Sequence, residues 1–283
     1  RDTLDLEIQH RLPFGSRHDV VSGLGYRRDS FEFKQDTLIQ VGPESPTSDR
    51  ISAFLQDEIA LIPDHLALTL GAKVEHNDLS DQNVDVLPNV RLSWTLSDNH
   101  NLWAAITSAI RTPSYADLGA NITGIGVRPV LPPGVPPSPF PLPIQVQITG
   151  DPSINSEELV AYELAYRGRL GERVSLDVSV FHNEYDDLRR TAMAGLYCDS
   201  TGEPVNPLAP PPCLLTSTSI LNRIAFESGS EISSDGLEIA VDWRAAEWLR
   251  VTGTYTWLHL SQESAIIDID QPVAEQSPDH QFS

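Results

Sequence analysis

Arg111, Tyr115 and Asp117 fall within one short stretch, RTPSYAD, where a cation, a phenol ring and a carboxylate follow one another. A guanidinium beside an aromatic ring suits an anionic chelate, held by charge and by stacking. Tyr26 and Arg27, followed by Arg28, repeat that pairing near the start of the chain. His76, His182 and His259 carry the donor atoms to ligate a haem iron, but each stands alone, and the solvated strand end is the favoured reading. The sequence holds no Gly-x-Ser-x-Gly elbow, no phosphate-binding glycine loop, no Cys-x-x-Cys and no His-Glu-x-x-His. These residues point to binding; no catalytic set, metal site or resident cofactor is expected.

The elements that must position them are strands. In the segment from Arg173 to Asn183, Val174, Leu176, Val178 and Val180 alternate with Ser175, Asp177 and Ser179. Val90, Leu92, Trp94 and Leu96 alternate with Asn89, Arg91, Ser93 and Thr95 in the same way. Successive side chains on a strand point to opposite faces, so each segment has one apolar and one polar face. Strands are expected at about 2–10, 17–29, 49–61, 66–77, 87–97, 101–111, 157–168, 173–186, 220–243 and 248–260, with another beginning near 279. On their polar faces fall Lys73, Glu75, Arg91, Arg111, Glu163, Arg167, Asp177, Glu238, Asp242 and Arg250, expected mostly to pair with one another across strands. Three details resist the pattern. In the 101–111 strand Trp103, Ala105 and Ala109 fall on the face opposite Leu102, Ala104 and Ile106. Asp57 stands in line with Ile51, Leu55 and Ile59, which fits only near a rim, and the 220–243 segment is long enough to need a bend or bulge at Gly229 or Gly236.

The connections alternate in length. Short ones fall at Leu12–Ser16, Ile62–His65, Ser97–His100, Gly168–Glu172 and Arg244–Glu247, and carry turn residues. Long ones fall at about 30–48, 78–86, 112–156, 187–219 and 261–278. All short turns would then lie on one rim and all long loops on the other, as in an outer-membrane β-barrel. Trp243 and Trp248 flank one short turn and Trp94 and Trp103 another, where an interfacial aromatic girdle would sit. A soluble β-sandwich shares the alternation, but would pack its apolar faces on each other.

The net charge of −21 argues against a nucleic-acid partner. No apolar run approaches the roughly 18 residues of a spanning helix, which leaves barrel strands open. Cys198 and Cys213 lie in one loop, where either a disulfide formed in an oxidising compartment or two free thiols would fit, the bridge being favoured. Between Pro129 and Pro143 eight prolines make a stiff stretch that suits a spacer or a recognition surface.

Several stretches resemble the barrels of TonB-dependent outer-membrane receptors. They are ISAFLQDEIAL (Ile51–Leu61), NLWAAITSAIRTPSYADL (Asn101–Leu118), SEELVAYELAYRGRL (Ser156–Leu170), VSLDVSVFHNEYDDLRR (Val174–Arg190) and SSDGLEIAVDW (Ser233–Trp243), in the family's order. SPDHQFS at the end is similar to the opening of a later strand, with Asp279 where a basic residue is more usual. The resemblance implies an all-β, antiparallel up-and-down transmembrane barrel, residues 1–283 supplying about 10–11 strands of 22, with the plug, early and closing strands absent. It implies a non-enzymatic importer in the outer membrane of a Gram-negative bacterium, in contact with outer-membrane lipid and energised by the TonB complex through an N-terminal box. The cargo it implies is a small iron chelate, above all a ferric siderophore, bound by loop arginines and aromatics such as Arg111 and Tyr115. A passive porin, a barrel adhesin and a secreted β-sandwich binding module are the alternatives.

Overall fold

The computed structural model describes residues 1–36, 38–124, 144–205, 219–263 and 278–283. The first half contains β1 (Asp2–Phe14), β2 (His18–Ser30), β3 (Ile39–Val41), β4 (Thr47–Ile62), β5 (Leu66–Asn77), β6 (Asp85–Ser97) and β7 (His100–Arg111). A short helix α1 (Tyr115–Gly119) and β8 (Ala120–Thr123) follow. Then come β9 (Ile144–Thr149), β10 (Glu157–Leu170), β11 (Val174–Cys198), β12 (Ile220–Ala246), β13 (Leu249–Glu263) and β14 (His280–Phe282).

Strands β1, β2, β4, β5, β6, β7, β10, β11, β12, β13 and β14 each pair antiparallel with the next, forming one up-and-down sheet that does not close on itself. The alternation read from the sequence is carried across that sheet by its register. Ile59, Leu68, Leu92, Ala104, Leu164, Val180, Leu237 and Trp257 stand directly opposite one another in turn, a single apolar row through eight strands. One residue along lies the polar row of Thr69, Arg91, Ala105, Glu163 and Phe181. A shift of one residue in any pair would exchange the two faces.

The apolar face is uncovered. Leu70, Val90, Leu92, Ile106, Leu164, Val180 and Val251 are all exposed, as is Trp94 at 48%. The buried apolar residues among those described are Ala120, Ile154, Ala165, Cys198, Ile220 and Leu221. A β-sandwich would have interred these rows between two sheets, and a water-exposed apolar surface of this extent belongs against lipid or protein. Among the described residues no helix is long and apolar enough to cross a membrane, which does not bear on strands.

The corrections concern the ends of strands and one ring. Strand β11 runs on to Cys198 and β12 begins at Ile220, so the hairpin stands well beyond the expected end at 186. Its pairing continues through register shifts after Tyr185, Leu188 and Met193, with Asp187 and Gly229 at positive φ. Gly229, at φ +104, supplies the expected bulge, since that backbone conformation is strained for other residues. Gly236 does something else: a Cβ there would lie 2.1 Å from the Phe181 ring, so it makes room for that aromatic. Trp103 sits opposite Ser93 and Ala165 on the polar face, so Trp103 does not join a girdle with Trp94. Asp57 keeps the register, opposite Val20 and Leu70, and its Oδ2 lies 2.7 Å from Nδ1 of His18, the first residue of β2 beyond a short turn. That pairing draws the carboxylate toward the rim.

Candidate functional site

Two surfaces carry the polar residues: the inner wall and the rim of long connections. On the inner wall many charges neutralise one another across strands. Arg167 pairs with Asp177 and Arg250 Nε donates to Asp242 at 2.8 Å, while within β5 Lys73 Nζ donates to Glu75 at 2.5 Å. Arg91 lies over the Trp103 ring, 5.0 Å from its centroid, which accounts for the ring's place on the polar face. Glu163 and Glu238 differ. They line one recess of ≈ 420 Å³ with Trp103, Arg167 and Asp177, and neither has an ion-pair partner among the described residues.

At the rim, Ser114 caps α1 by a reciprocal box: its Oγ accepts from Asp117 N at 3.2 Å, and the Asp117 carboxylate accepts from Ser114 N and Oγ at 2.8 Å. Asp117 is buried and also accepts from Arg189. Burial alone would raise its carboxyl, but the hydrogen bonds from Ser114 and the Arg189 guanidinium outweigh it and hold Asp117 below the usual carboxylate range. Arg111 forks onto Glu157, with Nε to Oε2 at 2.6 Å, and Glu157 accepts from Arg189 N at 3.0 Å. Arg111, Glu157, Arg189 and Asp117 thus form one balanced chain.

Tyr115 donates its hydroxyl to Thr47 O at 2.8 Å and sets its ring edge-on to Phe31 at 5.4 Å and Phe33 at 6.2 Å. Burial raises the Tyr115 phenol, and Asp78, Asp29 and Asp49 raise it further. Tyr26 donates to Asp49 at 2.8 Å, and Arg27 is held by Asp29 at 2.9 Å and Asp5 at 3.5 Å. The structure therefore gathers Arg111, Tyr115 and Asp117 at one rim, each already engaged by protein groups. Cys198 is buried and disulfide-bonded, whereas Cys213 and the proline-rich stretch 129–143 lie outside the described residues.

Spacing did not single out Arg189, Glu157, Phe31, Phe33 or Arg223. Arg223 sits 4.1 Å over the Tyr197 ring and donates to Gln147, which donates on to Asn121 at 2.9 Å. That chain crosses β12, β9 and β8, where β9 runs parallel to β12 and β8 and β3 extend the sheet. Three long connections are thereby knitted into one small sheet above the barrel wall. His182 pairs with Asp235 at 2.8 Å and His259 stacks on Trp257, both on the apolar face. No group of three or more His, Cys, Asp or Glu among the described residues could hold a metal ion.

Residues 1–283 match the family model described as TonB dependent receptor-like, beta-barrel. The chain belongs to that family. Among solved structures it is similar to the siderophore receptor PirA from Pseudomonas aeruginosa, with TM-score 0.69 and 16% identity over 92% of this chain and 43% of that one. It is similar also to a mutant of the ferric enterobactin receptor PfeA from the same organism, with TM-score 0.68 and 16% identity over 90% and 35%. The iron transporter FrpB from Neisseria meningitidis gives TM-score 0.56 and 12% identity over 92% and 36%. At such identities the likeness is one of fold, and the chain spans less than half of these receptors. No protein of curated function matches it. Within the family's barrel, the unclosed sheet is a stretch of wall, its short turns on one rim and its long connections on the other.

Proposed function

We propose that this chain is wall from the barrel of an active outer-membrane receptor of a Gram-negative bacterium, which imports a ferric siderophore with energy delivered through TonB. The family match across residues 1–283 carries this reading. Cargo would bind among the long connections, and a plug domain inside the barrel would rearrange when TonB pulls on it. No bond in the cargo need be made or broken by the protein. Glu163 and Glu238, which have no ion pair among the described residues, support a filled lumen, where basic plug residues would face the recess that they line. Uptake of radioactive iron by the full-length receptor, in a host stripped of its own iron-chelate receptors, tests the reading. Import should vanish when TonB is deleted; import that persists without TonB would mark a passive pore.

A further inference from the structure

We infer that the rim of short turns seats phospholipid headgroups that carry both a phosphate and a primary ammonium, as phosphatidylethanolamine does. The inference rests on the membrane placement in the reading above and needs neither its cargo nor TonB. Arg17, Arg169, Arg173 and Arg244 lie at that rim, exposed and with no side-chain hydrogen bond or ion pair among the described residues. Asp64, Asp98, Glu172 and Glu247 lie there in the same state. All but Arg169 and Arg244 sit in the turns themselves. The rim thus balances in charge, yet protein groups leave both signs uncompensated. A few residues up the same strands the arginines are engaged, Arg11 with Asp19, Arg167 with Asp177 and Arg250 with Asp242. The field of Asp242 reaches Arg244, but Arg250 already forks that carboxylate.

The outer face sets the height of these charges. Leu170, Trp243, Trp248 and Leu249 are exposed beside them, Trp248 at 84%. Exposed indole rings at the end of an apolar face mark the headgroup level of a bilayer. Long side chains at that level reach headgroups while their stems lie along apolar surface. Arg244 N donates to Arg173 O at 2.8 Å, so two guanidiniums stand side by side on neighbouring strands. Like charges so placed repel, and one phosphate between them relieves both. Glu172 precedes Arg173 in its turn and Glu247 lies in the turn after Arg244, where each can accept hydrogen bonds from an ammonium. An anionic headgroup without an ammonium would leave these carboxylates facing like charge. A quaternary ammonium has no N–H to donate.

The test offers the full-length receptor, in neutral detergent, equal amounts of phosphatidylethanolamine, phosphatidylcholine and phosphatidylglycerol with identical acyl chains, and counts bound lipid by native mass spectrometry. The ethanolamine lipid should be retained at least about threefold over either competitor, a margin suited to a few exposed ion pairs. Glu172→Gln with Glu247→Gln should abolish the discrimination against choline, and Arg173→Gln with Arg244→Gln should lower retention of all three lipids. Equal retention of the three, or a preference unchanged in both variants, would overturn the inference. Phenylglyoxal labelling of the lipid-free, unsubstituted receptor gives a readout that no misfolded variant can blur. Arg173 and Arg244 should react freely there and be shielded once the ethanolamine lipid is added. Shielding without lipid would mean that polypeptide covers the rim, which overturns the inference and leaves iron uptake standing. A receptor that enters no bilayer would remove the membrane placement, and the inference with it.

Discussion

The outer face of the sheet and the rim of long connections are built on opposite economies. The outer face is repetitive: apart from Asp57 and the His182–Asp235 pair near the rims, apolar residues recur at every second position, and in one row they stand opposite one another through eight strands. Its order comes from the period of the strand, and almost any aliphatic side chain would do. The rim is held by singular contacts between distant parts of the chain, Arg189 to Asp117, Tyr115 to Thr47, Arg223 to Gln147. A periodic surface tolerates exchange and fails when a charge is introduced; a rim of singular contacts tolerates charge and fails when one partner is lost.

The sharpest way to break the comparison is to place the same charge on both sides of one strand. Leu92→Arg, in the middle of the apolar row, should destabilise the full-length barrel by about 2–4 kcal/mol in lipid. Ser93→Arg, one residue on and facing inward, should cost far less. Thermal unfolding followed by gel mobility compares them, and equal losses would erase the distinction between faces.

At the rim, Asp117→Asn should cost about 2 kcal/mol, reduced from the full value of a buried pair because Arg189 is partly exposed. The loss should appear in hydrogen exchange of α1, β8 and β9 and spare β5 and β6. Acid should imitate it. The folded Asp117 pKa lies below its unfolded value, so the contribution is complete above about pH 4 and fades as pH falls through the folded pKa. Protection at α1, taken relative to the intrinsic exchange rate at each pH, should therefore be unchanged between pH 7 and pH 5 and should fall below about pH 4. The smallest effect is expected at Arg250, whose pairing with Asp242 is solvent-exposed near a short turn. Arg250→Ala should leave thermal unfolding unchanged.

The same contrast decides what the sequence could disclose. The spanning strands were legible because alternation is local, and Asp57 stayed in its row as parity required, its partner His18 lying on the neighbouring strand. The length of β12 and its bend at Gly229 were legible, but the overrun of β11 past residue 186 was not, because Asp187 adopts positive φ and the register shifts that follow it reset the parity while pairing continues. Strands β3, β8 and β9 span three, four and six residues, too short for a period to register. Alternation already sets Trp103 on the face opposite Leu102, and only its pairing with Trp94 as a girdle fails, because Arg91 claims the ring on the inner face. Arg111, Tyr115 and Asp117 were found by type and spacing, but their partners Glu157, Phe31 and Arg189 lie at separations no motif encodes.

Spin labels placed singly at Leu92, Leu164 and Val180, and at Ser93, Ala165 and Ser179, in the full-length receptor in bilayers, would test the central claim most directly. The first set should be relaxed by dissolved oxygen and shielded from a water-soluble nickel chelate, as lipid-facing positions are, and the second set should show much weaker oxygen relaxation. Loss of that alternation, or the opposite one, would contradict the assignment of this sheet as barrel wall.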